Sequence, residues 1–200
     1  VAPQEHSVDL EHWRVTPGTF LAAWPDLEDQ NFSRSIVVLC QHGPRGALGF
    51  VINRPTGVTI DRLVPDHPLL SKLGTPIYLG GPVDHSRLQF LHRAPASIPG
   101  GQEIAEGLFL GGELEALAAY LRAQQRPRGV DVDGLRLFLG YSGWDAGQLE
   151  AELMHGSWVP APLDAPLVFS AQGEDDWRRV VASSGAGDAW LGLAPGSGPN

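Results

Sequence analysis

Ser35-Ile36-Val37-Val38-Leu39-Cys40 and, after a break carrying Gly43, Pro44 and Gly46, Leu48-Gly49-Phe50-Val51-Ile52-Asn53 form the stretch that decides the fold. Neither run alternates apolar with polar residues, so each is expected to be a strand buried on both faces. Similar short apolar runs bounded by Gly, Pro, Asn or Asp mark further strands at Pro76 to Leu79, Leu88 to His92, Leu108 to Leu110, Leu135 to Leu139 and Leu167 to Ser170. In the run from Leu88, the side chains of Leu88, Phe90 and His92 share one face, opposite Gln89, Leu91 and Arg93.

Helices are written between these runs. From Glu113 to Gln125 the residues Leu114, Leu117, Ala118 and Leu121 follow the i, i+3, i+4, i+7 spacing of an amphipathic helix. A second helix is expected from about Ala146 to His155, with Asp145 placed to cap it, Gln148 answering the cap and Gly156 just past its end. Trp144 precedes it and is expected to staple it to the sheet. A third runs from about Glu174 to Ser183, where Asp175 and Asp176 suit the positive helix start and Trp177, Val180 and Val181 form the apolar side. A short helical turn from Thr59 to Leu63 follows Asn53-Arg54-Pro55. Strands in runs before and between a few helices argue for an α+β fold rather than strict βαβ alternation. Seven strands in one layer can curl, so the expectation is a strongly bent mixed sheet with helices packed outside.

The chain has 200 residues, enough for one domain that buries roughly 70% of its unfolded surface. The domain is expected over residues 18–182, with a polar N-terminal arm over 1–17 and a Gly-, Ser-, Ala- and Pro-rich tail over 183–200. Cys40 is the single cysteine, which rules out an intramolecular disulfide and a Cys-rich zinc site and suits a reducing compartment. No run of about 18 apolar residues is present to span a bilayer, and the first residues lack the basic-then-apolar layout of a secretory signal. A cytoplasmic protein without membrane attachment is expected. Lys and Arg number 14 against 23 Asp and Glu, a formal net charge of −9. With a single lysine, Lys72, and scattered arginines, no nucleic-acid partner is expected. Arg122, Arg126 and Arg128 are read as a solvated helix end, too few for a basic groove unless Arg93 or Arg136 sits beside them.

Four groups of residues invite chemical readings. Gly140-Tyr141-Ser142-Gly143-Trp144 occupies the setting of a hydrolase nucleophile elbow, but Trp144 stands where that turn needs a glycine. The alternative is a tight strand-to-helix connection whose glycines serve the backbone. Gly80-Gly81-Pro82 follows a strand and can expose amides to an anion, yet no phosphate fingerprint follows it and a plain turn is the simpler reading. Among His42, His67, His85 and His92, only Cys40 and His42 are spaced for one strand face, and two ligands do not make a metal site. Glu150 and Glu152 lie two apart on the second helix and therefore point to different sides, with solvated or capping roles.

Taken together, Gly18-Thr19-Phe20-Leu21-Ala22, Phe32-Ser33-Arg34-Ser35, His42 with Gly46-Ala47-Leu48-Gly49, Asn53-Arg54-Pro55, Gly80-Gly81-Pro82-Val83, Leu91-His92, Leu139-Gly140-Tyr141-Ser142-Gly143-Trp144, Gly147-Gln148-Leu149-Glu150 and Trp158 resemble the YqgE/AlgH family. The similarity runs from about Gly18 to Ala182. It implies an α+β body whose bent sheet forms a partial pseudo-barrel, with no established activity. Some members are labelled transcriptional regulators, a label to which the acidic charge lends no physical support. Many relatives carry alanine in place of Ser142. The polar positions that match, and that are expected to line a shared site, are His42, Asn53, Arg54, His92, Gln148 and Glu150; Gly80, Gly81 and Ser142 border it. The resulting expectation is a non-catalytic binding or regulatory module for a protein or small-molecule ligand, without cofactor or metal. The alternative is a hydrolase-like enzyme with His42 or His92 as base. Clustering of His42, Asn53, Arg54 and His92 around a concavity favours the enzyme, and dispersal favours the binding module.

Overall fold

A computed structural model describes residues 15–184. The expected arms over 1–17 and 183–200 fall almost wholly outside the described residues. The two apolar runs that open the sequence reading form β2 (Ile36–Gly43) and β3 (Gly46–Val51), an antiparallel hairpin registered from Val37 opposite Val51 to Gly43 opposite Gly46. Their lack of alternation has a direct cause. Ile36, Val38, Cys40 and Phe50 enter one core cluster, while Val37, Leu39 and Val51 enter another on the opposite face.

The sheet grows outward from this hairpin. β1 (Phe20–Ala23) pairs antiparallel with β2 on one side and with β10 (Trp158–Ala161) on the other. Beyond β3 runs the long β9 (Leu135–Trp144), followed by β6 (Val83–His92), β8 (Leu108–Leu110) and β7 (Gln102–Ala105). β5 (Pro76–Leu79) lies parallel to β9 and carries β4 (Pro55–Thr59) on its far side, which makes the sheet mixed. Among the described residues these are ten strands in one sheet. The sheet curls until its ends share a core: Phe20, Ala22, Val159 and Ala161 pack in one cluster with Ile104 and Leu108. A Cβ placed on Gly18, just before β1, would lie 2.8 Å from the Ala105 Cβ of β7. No ladder joins β10 to β7, so the body is a bent, open pseudo-barrel.

The bend is localised at two glycines. β9 pairs with β5 as far as Leu139, then with β3 from Ser142, and Gly140 between them has φ 68, a left-handed conformation that favours glycine. Facing it, Gly80 donates its N–H to Leu139 O at 2.8 Å and accepts the Val51 N–H at 2.8 Å. A Cβ on Gly80 would sit 2.4 Å from Gly140 O, so these two backbones approach as closely as only glycine allows.

Helices cover the remaining apolar surface. α1 (Ile60–Leu63) and α2 (Leu114–Gln124) close a cluster containing Ile60, Leu117, Ala118, Leu121 and the β9 residues Leu135 and Leu137. α3 (Gln148–Met154) lays Leu149 and Leu153 on the cluster of Leu21, Val37 and Trp158. α4 (Ala165–Ser170) and α5 (Glu174–Ser183) seal the remaining core with Val168, Phe169, Trp177 and Val181. The chain thus has the α+β architecture expected of it. No helix among the described residues is long and apolar enough to cross a membrane.

Three local expectations are corrected. Leu167 to Ser170 belongs to a helix, because Asp164 caps its start by accepting the Leu167 N–H at 3.2 Å and Pro166 presets the first turn; a four-residue apolar run is too short to reveal its period. The second helix begins at Gln148 rather than Ala146, with Gly147 at φ 77 as its N-cap. Asp145 makes no side-chain cap, although its N–H donates to Gln148 Oε1 at 3.0 Å, the reciprocal half of a capping box. The Gly140 to Trp144 segment is not a strand-to-helix turn, since β9 continues through Trp144.

Candidate functional site

The residues that most resembled catalytic machinery are committed to the scaffold. Ser142 is fully buried, and its hydroxyl donates to Gly80 O at 3.1 Å, closing the same glycine corner. No substrate reaches a hydroxyl so enclosed. Gly80 uses its N–H within the sheet, and Gly81, at φ 152, presses its Cα hydrogens against the Tyr141 carbonyl. The two glycines let these backbones cross at close range. His92 is buried with both ring nitrogens occupied: Nε2–H donates to Gly111 O at 2.9 Å, and Nδ1 accepts the Ala94 N–H at 3.2 Å. This pairing fixes the neutral tautomer, and burial lowers the imidazole pKa below its ordinary value despite the Gly111 carbonyl.

Asn53 and Arg54 act as fasteners between chain segments. The Asn53 side chain accepts the Ile36 N–H at 2.9 Å and donates to Arg34 O at 3.0 Å and Gly173 O at 2.9 Å, joining β2, the preceding loop and the start of α5. Arg54 donates to the carbonyls of Gln30, Asn31 and Ser33, holding one loop in place; desolvation lowers its pKa, opposed by Asp29.

Sequence reasoning left Arg136 as a possible surface cation, and the structure buries it. Its guanidinium donates to Ile52 O at 2.6 Å, Phe169 O at 2.6 Å and Ala171 O at 2.9 Å, and stacks 3.8 Å above the Tyr78 ring. Burial pushes the Tyr78 hydroxyl up to about 12, and it donates to Asp131 at 2.9 Å. An arginine inside the apolar run Leu135 to Leu139 was the available signal.

A cleft of about 690 Å³ lies between the β2–β3 hairpin tip and the end of β9, lined among others by His42, Arg45, Leu48, Val83, Tyr141 and Asp145. The β2–β3 register shifts between Leu39 and Gln41. Cys40 is therefore in the core, where burial pushes its thiol pKa up, while His42 reaches α3 on the opposite side of the sheet. The expected shared face for these two residues is not formed. His42 Nε2 donates to Glu150 Oε1 at 2.8 Å; the backbone N–H of Glu150 and this histidine hold the carboxyl below its usual range. Arg45 is exposed and makes no ion pair or side-chain hydrogen bond among the described residues.

Behind the cleft stands a second feature that the sequence did not announce. Glu152 Oε2 accepts both the Trp144 indole N–H at 2.8 Å and the Trp158 indole N–H at 2.7 Å, while its other oxygen accepts from Gln148 at 2.8 Å. Phe32 packs against both indoles, 6.2 Å from Trp144 and 5.3 Å from Trp158 between ring centres. Glu152 is thus a half-buried acceptor for both indoles, and Gln148 is spent on orienting it. Trp144, 5% exposed, is the packing residue its position promised. Among the described residues no three His, Cys, Asp or Glu come together to hold a metal ion. Of the expected site residues, only His42 lines the cleft; Glu150 touches it through His42, and Asn53, Arg54 and His92 lie dispersed in the scaffold.

Comparison with known proteins places this geometry in a family. The AlgH-like profile of DUF179 matches residues 20–188. A UPF0301 protein of Chlorobium luteolum is 38% identical over 175 residues, covering 88% of this chain and 89% of its own. One from an Anaeromyxobacter species is 40% identical over 194 residues, covering 91% and 90%. The solution structure of the AlgH protein from Pseudomonas aeruginosa superposes with a TM-score of 0.66 at 30% identity, over 93% of this chain and 100% of that one. A crystal structure of a Corynebacterium diphtheriae protein gives 0.65 at 25% identity, over 85% and 87%. Since the profile takes in every strand and helix described above and the relatives align over nearly their whole lengths, the chain belongs to the AlgH-like family of UPF0301 proteins.

Proposed function

We propose that this protein is a non-catalytic binding module of the cytoplasm, with a regulatory role, whose ligand occupies the cleft between the β2–β3 hairpin and the end of β9. One observation carries the reading: His92 and Ser142 are sealed and fully bonded, whereas Arg45, His42 and Tyr141 face an open concavity of about 690 Å³. A volume of that size suits a small molecule or the side chains of a docked peptide. Tyr141, Val83 and Leu48 offer a surface for an apolar or planar body, and Arg45 and the His42–Glu150 pair offer polar contacts at its rim.

A thermal-shift screen of metabolites and short peptides against the wild-type chain and an Arg45→Ala/Tyr141→Ala variant tests this. A ligand at one hundred times its Kd is expected to raise the wild-type Tm by roughly 5 to 10 °C and to leave the variant unmoved. Ligands that stabilise both proteins equally would remove the cleft from consideration. The His42–Glu150 pair supports one second reading, a hydrolase-like enzyme in which the imidazole activates water. Turnover of activated esters that disappears in His42→Ala would favour that reading over the binding module.

A further inference from the structure

A second concavity, sharing no lining residue with the cleft, lies where the C-terminal end of α2 meets the segment leading into β5. Its volume is about 250 Å³, and its wall includes Lys72, Thr75, Arg122, Gln125 and Arg126 over an apolar floor of Leu121 and Val132. Cations make up its whole ionic lining, since no Asp or Glu contributes to it, although the chain carries a net charge of −9. Two of the three cations are explained by the helix: Arg122 lies in the last turn of α2 and Arg126 just past it, where positive charge offsets the helix dipole. Lys72 is not. It comes from another segment and makes no ion pair or hydrogen bond among the described residues.

The walls are fixed relative to one another before any ligand arrives. Gly129 donates its N–H to Gly74 O at 2.8 Å, and Gly74 packs so closely on Arg128 that a Cβ would fall 2.9 Å from the Arg128 Cα. Arg122 is oriented by donating to Leu69 O at 3.0 Å, which still leaves other guanidinium N–H groups for a ligand. Arg126 is balanced by the exposed Asp133 outside the lining, at 2.5 Å. Arg128, the remaining member of the sequence cluster, is directed away to Asp61.

We propose that this pocket binds a phosphate dianion, free or as the phosphoryl end of a small monoester. The Arg122 fork and the Lys72 ammonium, flanked by an Arg126 guanidinium that shares its charge with Asp133, suit an acceptor with several oxygens and two negative charges better than a single carboxylate, which one arginine would satisfy. The space above the floor accommodates a phosphoryl group with a few carbons, and the thin coverage of cations excludes a polyanion track. This inference stands independently of the cleft and its ligand.

The test is an NMR titration of the ¹⁵N-labelled full chain at low salt with inorganic phosphate, glycerol 3-phosphate and acetate. Phosphate and the monoester are expected to produce saturable shifts centred on the amides of Lys72 to Thr75 and Arg122 to Arg126, with acetate weaker by about tenfold or more. Tighter binding of glycerol 3-phosphate than of phosphate identifies a monoester as the preferred source, and equal binding identifies the free anion. Arg122→Gln should weaken phosphate by about tenfold, and Lys72→Glu combined with Arg122→Gln should abolish it. Exposed Arg87, outside both concavities, supplies the control: Arg87→Gln should leave phosphate binding unchanged. These side chains are exposed, so an unchanged urea midpoint certifies the variants as folded. Absence of saturable shifts at millimolar phosphate, equal shifts in the double variant, or acetate binding as tightly as phosphate would each overturn the proposal.

Discussion

Glu152→Ala should reveal how far the aromatic end of the barrel depends on one carboxylate. In the folded chain Glu152 Oε2 receives two indole N–H groups, those of Trp144 and Trp158, whose side chains are 5% and 2% exposed. Truncation leaves both donors without an acceptor in a place that water reaches poorly. An unsatisfied buried donor costs about 1 to 3 kcal/mol. The bond from Gln148 is exposed and contributes little, so the sum for the variant is about 2 to 6 kcal/mol. With a urea m-value of about 2 kcal/mol/M for a domain of this size, the unfolding midpoint should fall by about 1 to 3 M. Attribution needs a double-mutant cycle: Trp144→Phe keeps most of the packing but removes one donor. It should therefore cost about 1 kcal/mol less in the Glu152→Ala background than in the wild type. A midpoint within about 0.3 M of wild type, or strict additivity of the two substitutions, would show that the carboxylate is solvated and that packing alone holds the indoles.

The other expectations follow from sealed groups and from charge. His92 is held neutral in the folded chain with its pKa depressed by burial, so below the unfolded value of 6.5 the unfolded chain binds a proton that the folded one refuses. Stability should therefore fall as pH drops through that window. In urea titrations at several pH values, His92→Gln should flatten the acid-side slope, and an unchanged slope would refute the assignment. Gly80→Ala puts a methyl 2.4 Å from Gly140 O and should destabilise by more than about 2 kcal/mol or abolish soluble expression, whereas Gly43→Ala, where a Cβ meets nothing within 4 Å, should be near neutral. Fluorescence anisotropy with duplex DNA at about 150 mM salt should show no saturable binding below roughly 10 μM protein, and submicromolar binding with a steep salt slope would reinstate a transcription-factor role.

The parts of the fold that the sequence disclosed are those whose physics is local. α2 is legible because Leu114, Leu117, Ala118 and Leu121 repeat at the helical period, and α5 because three acids precede Trp177, Val180 and Val181. β2 and β3 are legible because burial on two faces erases alternation, and the two faces do enter different clusters. β1 and β10 escaped notice for the opposite reason. Each is four residues long, and what makes Phe20–Ala23 and Trp158–Ala161 strands is their pairing with each other across most of the chain's length. Four apolar residues do not distinguish β10 from the α4 run of Leu167 to Ser170; a cap at Asp164 does, and it lies outside the run.

The candidate site was less legible than the fold, and the shortfall has a consistent cause. His42, Asn53, Arg54, His92 and Ser142 stand out in a sequence because they are polar residues beside apolar strands, and this is equally the signature of a buried group that ties backbone segments together. Sequence order does not say whether such a side chain faces solvent. In this fold Asn53 spends all three of its observed bonds on main-chain partners, and His92 spends both ring nitrogens the same way. Only at β2 does the distinction turn outward, because the register shift after Leu39 places Cys40 inside and frees His42 to meet Glu150. Polar residues fixed by a strongly curled sheet can therefore recur through a family for architectural reasons alone. Functional variation is then to be sought at positions such as Arg45 and Lys72, whose charges have no partner among the described residues and which the fold does not use. Exchange of those two cations should leave the urea midpoint where it is while changing what the protein binds, the reverse of the outcome expected for Asn53 or His92.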